Sequence, residues 1–136
     1  MTDLVRRHCE CAGSGAAGRA REEVARLIEE AARLGQAVPA AVQDAALLVV
    51  SELVTNAVRY APGPCALDVG WSAGGLDILV TDSSPDLPQK RQGDPTGAYG
   101  GYGWPLVQCL SSRVEVRPTE TGGKTVHAHL SPSSSR

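Results

Sequence analysis

The sequence predicts an α/β two-layer sandwich: a mostly antiparallel sheet of about five strands with three helices on one face. Three observations carry this. Two long stretches before residue 61 space their apolar residues by three and four. Strict alternation flanks Ser72-Ala73-Gly74-Gly75 on both sides. A short helical pattern then separates that hairpin from two closing strands. With 136 residues the chain is expected to be a single domain, 1–136, with an ordered core from about 4 to 130 and a polar tail over 131–136.

Leu4 to Cys11 alternates loosely, with Val5, Arg7, Cys9 and Cys11 on one parity, and reads as a first strand. His8-Cys9-Glu10-Cys11 admits a metal reading. A Cys-x-Cys pair in a strand, with no second Cys/His pair at zinc spacing, is better read as small core residues. The four cysteines (Cys9, Cys11, Cys65, Cys109) are scattered and read as reduced, buried thiols rather than a disulfide framework. Ser14 is placed to cap a helix from about Gly15 to Leu34, with Gly35 as its stop. Its inner stripe is Ala20, Val24, Leu27, Ile28, Ala31 and Leu34.

Pro39 opens a second helix, apolar over most of its circumference through Leu47 to Val50, Leu53, Val54, Ala57 and Val58. Such a helix belongs in a core, yet Glu52, Asn56 and Arg59 fall at i, i+4 and i+7 on one stripe. Buried polar groups need partners. A carboxylate and an amide oxygen one turn apart suit a hard cation such as Mg²⁺. An intrahelical polar network on a surface stripe accounts for the same spacing.

Cys65, Leu67, Val69 and Trp71 alternate with polar or small residues, and Leu76, Ile78 and Val80 repeat the pattern after the turn. Parity puts Asp82 on the core side, where a carboxylate needs donors that a ligand can supply. No periodicity runs from Ser83 to Tyr99, and a structureless stretch of that length suggests a lid or binding loop. It leads through Gly97-Ala98-Tyr99-Gly100-Gly101-Tyr102-Gly103 to Trp104-Pro105 and a short helix with Leu106, Val107 and Leu110. Glycines ahead of a helix N-terminus can cradle a phosphate; a flexible connector has the same composition. Val114 and Val116 mark the next strand. The last runs from Lys124 to Leu130, with Val126, Ala128 and Leu130 inward and Thr125, His127 and His129 on the other parity. Two histidines at i, i+2 admit a metal, but an exposed strand face is the better explanation.

A net charge of −2 leaves no basic footprint for nucleic acid. No uninterrupted apolar run approaches the roughly 20 residues of a membrane span, and no signal peptide is visible, so the expectation is a cytoplasmic protein.

A polar-striped helix, an aspartate closing a strand and a glycine-rich loop before a helix therefore stand in fixed order. The chain resembles the GHKL (Bergerat-fold) ATP-binding superfamily, and within it the small bacterial anti-sigma factor serine/threonine kinases. Glu52-Leu53-Val54-Thr55-Asn56-Ala57-Val58-Arg59-Tyr60-Ala61 is similar to the family N box. Val80-Thr81-Asp82-Ser83-Ser84-Pro85 stands at the first glycine box, Gly101-Tyr102-Gly103-Trp104-Pro105-Leu106-Val107 at the second, and Gly123-Lys124-Thr125-Val126 at the closing strand. The first box departs from the family pattern, with Ser83-Ser84-Pro85-Asp86 where glycines are usual.

The resemblance implies ATP as ligand and Mg²⁺ held by Asn56, with Arg59 near the phosphates. It implies Glu52 as general base and Asp82 as acceptor for the adenine amino group. Gly101 and Gly103 would offer amides to the phosphates, residues 83–100 would form the ATP lid, and Thr125 joins the nucleotide-binding set. It further implies a protein partner, an anti-anti-sigma factor-like protein or a sigma factor; a homodimer is left open. The implied activity is phosphorylation of a serine or threonine on that partner. A non-catalytic module whose partner binding switches with nucleotide is the alternative.

Overall fold

A computed structural model describes residues 3–61, 63–86 and 103–133. Five strands, β1 (Val5–Cys11), β2 (Cys65–Ser72), β3 (Gly75–Asp82), β4 (Arg113–Pro118) and β5 (Lys124–Leu130), form one sheet in the order β1-β2-β3-β5-β4. Every neighbouring pair is antiparallel. Helices α1 (Ala16–Arg33), α2 (Ala40–Tyr60) and α3 (Gly103–Leu110) complete the sandwich.

The alternation in the sequence becomes the core. Cys65, Leu67, Val69 and Trp71 of β2, Leu76, Ile78 and Val80 of β3, and Val126, Ala128 and Leu130 of β5 are all buried. They meet Ala20, Val24, Leu27 and Ala31 of α1 and Val42, Ala46, Val49, Val50, Leu53, Val54 and Ala57 of α2. Trp71 is anchored besides by its indole N–H, which donates to the Gln36 carbonyl oxygen at 2.8 Å. By length and composition α2 is apolar enough for a membrane span, but its buried residues serve this core.

The helix ends refine the expectation. Gly15 is the N-cap of α1, at φ 83°, and no side chain caps the helix there; Ser14 stands one residue too early. At the other end Gly35, at φ 76°, donates to Ala32 O at 3.0 Å while Gln36 N reaches Ala31 O at 2.8 Å, the paired bonds of a Schellman stop. Leu34, expected in the inner stripe, is exposed because it lies past the last helical turn. Leu48 is exposed as well, so α2 keeps one wet side. Cys11 and Cys65 are buried and Cys9 is half-buried, but Cys109 is exposed near the end of α3.

Candidate functional site

The direction of α2 decides which end of the sandwich is polar. Its first turns (Ala41, Val42, Ala45) line a cavity of about 610 Å³ together with Leu130, the last residue of β5, and with Cys109 to Ser112. The C-terminal half of α2 therefore lies toward the start of β5 and, through the register Asp82↔Lys124, toward the end of β3.

On that half, Glu52 and Asn56 are half-buried and Arg59 is exposed. No hydrogen bond to a described residue ties down Glu52 or Asn56. Glu52 reaches the first residue of α3: a Cβ added at Gly103 would lie 2.2 Å from Glu52 Oε1. The absence of a side chain at Gly103 is thus what lets the carboxylate sit against the helix start. Arg59 stands with its guanidinium carbon 5.9 Å from the centroid of the Tyr60 ring. It also lines, with Thr55, Val58 and Gly13 to Ala17, an open cavity of about 400 Å³ between α2 and the start of α1.

At the rim of the sheet, Asp82 faces inward as parity required, and the protein itself supplies its donors. Lys124 Nζ lies 2.9 Å from each of Oδ1 and Oδ2, and the Ser84 amide donates to Oδ1 at 2.9 Å. Nζ also donates to the Ser84 carbonyl oxygen at 3.2 Å. The Ser-Ser-Pro turn that replaces the usual glycines is therefore built by side chains: Asp82 bonds two residues ahead, and the Ser84 hydroxyl accepts from the Asp86 amide at 3.2 Å. Gly123 closes the rim, since a Cβ there would fall 2.0 Å from the Asp82 carbonyl oxygen.

Thr125 is not brought to this group. It pairs with Thr81 in register, and the two hydroxyl oxygens lie 2.7 Å apart on the sheet face opposite the helices. Lys124 is the closing-strand residue at the site. The same parity that sends Val126, Ala128 and Leu130 inward sends Lys124 there too, so the signal lay in the alternation. Gly101 and most of the expected lid, 87–100, lie outside the described residues.

The other candidate metal groups resolve differently. Cys9 Sγ is 3.3 Å from Cys11 Sγ. Burial, aided by the hydrogen bond to Cys11, pushes the Cys9 thiol up to about 12, far from a ready thiolate ligand. His127 Nε2 and His129 Nδ1 each lie 2.7 Å from Asp77 Oδ1 on the open face. Burial opposes ionisation of Asp77, yet the hydrogen bonds from both imidazoles outweigh it and hold this carboxyl below its ordinary range. Among the described residues no three or more His, Cys, Asp and Glu side chains converge so as to hold a metal.

A core helix thus carries a carboxylate and an amide in its C-terminal half, toward the end of the sandwich where a buried aspartate closes β3. Residues 16–129 match the family of histidine kinase-like ATPase domains, and the chain belongs to that family, within the GHKL superfamily. No curated protein matches the sequence. Membership makes the domain an ATP-binding module, and the end of the molecule holding Glu52, Asn56, Asp82 and Gly103 is its candidate nucleotide site.

Proposed function

We propose that the protein is an ATP- and Mg²⁺-dependent serine/threonine protein kinase of the anti-sigma-factor type, which phosphorylates or sequesters a regulatory protein partner. The observation that carries this is Glu52: half-buried, untied by hydrogen bonds to described residues, and set against the glycine that starts α3. A carboxylate so placed can take the proton of a partner hydroxyl at one of its Oε atoms as that oxygen bonds to the γ-phosphorus and ADP leaves. The residues fit Mg²⁺: the amide oxygen of Asn56 is a hard ligand of the kind this ion takes, the rest coming from phosphates and water. Asn56 would hold the ion, which neutralises phosphate charge when bound. The reading carries with it a cytoplasmic protein whose partner is an anti-anti-sigma factor-like protein or a sigma factor.

The test is transfer of labelled γ-phosphate from ATP to partner proteins captured with the chain, run beside calorimetric ATP titrations with and without Mg²⁺. Tight ATP binding without transfer to any captured partner would leave the non-catalytic, nucleotide-switched module in its place.

Two substitutions probe the site separately. Asn56→Ala is expected to weaken Mg-ATP binding by roughly 10- to 100-fold, as loss of a ligand or its close support does, while the melting temperature holds. Equal affinity for variant and parent at saturating Mg²⁺ would remove Asn56 from the site. Gly103→Ala pushes a methyl into the space of Glu52 Oε1, the far end of a flexible side chain, so the fold yields easily but the carboxylate moves. A displacement of about 1 Å in a catalytic group can cost on the order of 100-fold, so transfer should fall by about that much with stability nearly unchanged. Steady-state transfer rates and a thermal melt of the same preparation decide it; an active Gly103→Ala would separate Glu52 from the chemistry.

A further inference from the structure

The proposed reaction makes no use of the cavity at the far end of the sandwich. It measures about 610 Å³, and small-molecule sites fall at about 300–1,000 Å³. Its place follows from the fold. The first turns of α2 pass the end of β5 and the junction of α3 with β4, and Ala41 and Ala45, one turn apart, are too small to close the gap. Val42 and Leu130 give it a buried apolar floor. Ser112 and Ser133 are exposed at its mouth, beside Cys109. Among the described residues no Asp, Glu, Lys or Arg lines it.

One group in the lining is left unsettled. The Ser111 amide donates to the Val107 carbonyl oxygen at 3.1 Å and closes α3. Its hydroxyl oxygen is buried without a hydrogen-bond partner. Among the described residues it is the only buried side-chain nitrogen or oxygen in that condition. Buried hydroxyls are nearly always paired, so an orphan calls for a reason. The neighbouring Ser112 hydroxyl is engaged, accepting from the Ser131 amide at 3.0 Å. A ligand seated in the cavity supplies the partner that Ser111 lacks, since one rotation about χ1 turns a serine hydroxyl to a new staggered position.

We propose that this cavity is a second binding site, remote from the nucleotide end, for an uncharged small molecule with an apolar body and one hydrogen-bonding group that Ser111 meets. The body lies on Val42 and Leu130. An ionised ligand is disfavoured, because a charge brought there from water meets no counter-charge in the lining. Ala41 stands about 16 Å before Glu52 along α2, at about 1.5 Å per residue, so the two sites do not overlap. The assignment does not depend on the ATP reading, and no nucleotide enters its test.

The experiment is a titration of the isotope-labelled full chain at pH 7, followed through its amide NMR spectrum. The probes are 2-naphthol, which is uncharged, and naphthalene-2-carboxylate, which puts a charge on the same ring system. 2-Naphthol should shift the amides of Ala41, Ala45, Ser111 and Ser112 saturably. It should also slow the reaction of Cys109, exposed at the mouth, with a thiol reagent. The carboxylate should bind at least about tenfold more weakly. Ser111→Ala should lower 2-naphthol affinity by about 2- to 10-fold. Its melting temperature should hold or rise, because the hydroxyl it removes is unpaired. Ala45→Leu should lower affinity by about tenfold or more, since close-packed protein leaves no room for the ring. Should Ala45→Leu fail to fold, Ala41→Leu fills the same cavity from an exposed position. Four results would each overturn the proposal: no saturable shift at these amides up to the solubility of 2-naphthol, equal affinity for the carboxylate, parent-like binding by Ser111→Ala, or parent-like binding by the leucine variants.

Discussion

Glu52→Gln is expected to lower phosphoryl transfer to a partner serine or threonine by about 10²- to 10⁴-fold, the usual contribution of a positioned general base. Mg-ATP affinity should stay within about threefold, because the substitution keeps shape and hydrogen-bonding reach and removes only basicity. The structure sharpens this. Glu52 stands on a helix whose neighbours Leu53 and Val54 are locked in the core, so its backbone cannot drift when the head group changes. Its carboxylate lies against Gly103, where an amide head group of nearly equal size meets the same space. A folding defect is therefore not expected, and melting temperature should match the parent. Phosphate transfer from γ-labelled ATP, measured beside a binding titration, gives both numbers on one preparation. A glutamine variant that transfers at the parent rate would take the base role from Glu52; one that loses binding and transfer together would make Glu52 a ligand-holding residue instead.

The two repeats in the sequence carried most of the fold because each has a direct physical meaning. A period of two placed Leu76, Ile78 and Val80 inward and brought Asp82 to the same face, and the structure keeps all four there. A three-four period placed Ala20, Val24, Leu27 and Ala31 against the sheet. What parity leaves open is which neighbour satisfies an inward polar group. Asp82 and Lys124 lie 42 residues apart, and only the β3–β5 register brings them together. The N box spacing put Glu52 and Asn56 on one stripe, but the space that Gly103 leaves for Glu52 depends on how α3 docks, which no local pattern encodes. Thr125 shows the opposite case: a motif match drew it toward the nucleotide, while its own parity points it to Thr81 on the far face. The helix ends depended on one-residue details, the left-handed Gly15 in place of Ser14 and the exposure of Leu34 beyond the last turn.

Asp82→Ala is expected to destabilise the fold by about 3–5 kcal/mol, through the partner it leaves behind more than through what it removes. Lys124 loses both carboxylate contacts at once, and its ammonium stays in a place where its side chain is almost wholly shielded from water. The Ser84 amide loses its acceptor in the same step, and the turn it organises loosens. Gly123 packs its backbone on the Asp82 carbonyl, so β5 has no room to slide and carry the lysine outward. Against a total stability of about 5–15 kcal/mol for a domain of this kind, that is a large share. The control separates charge from packing. Asp82→Ala combined with Lys124→Met removes both ions and should recover most of the loss, since an apolar replacement of a buried ion pair is often neutral or better. Urea unfolding of the parent, the single variant and the double variant measures the difference directly. If the single variant unfolds at the parent's midpoint, the Asp82–Lys124 pair does not hold the end of the sheet. If the double variant is as weak as the single, the cost lies in lost packing and the charge argument fails.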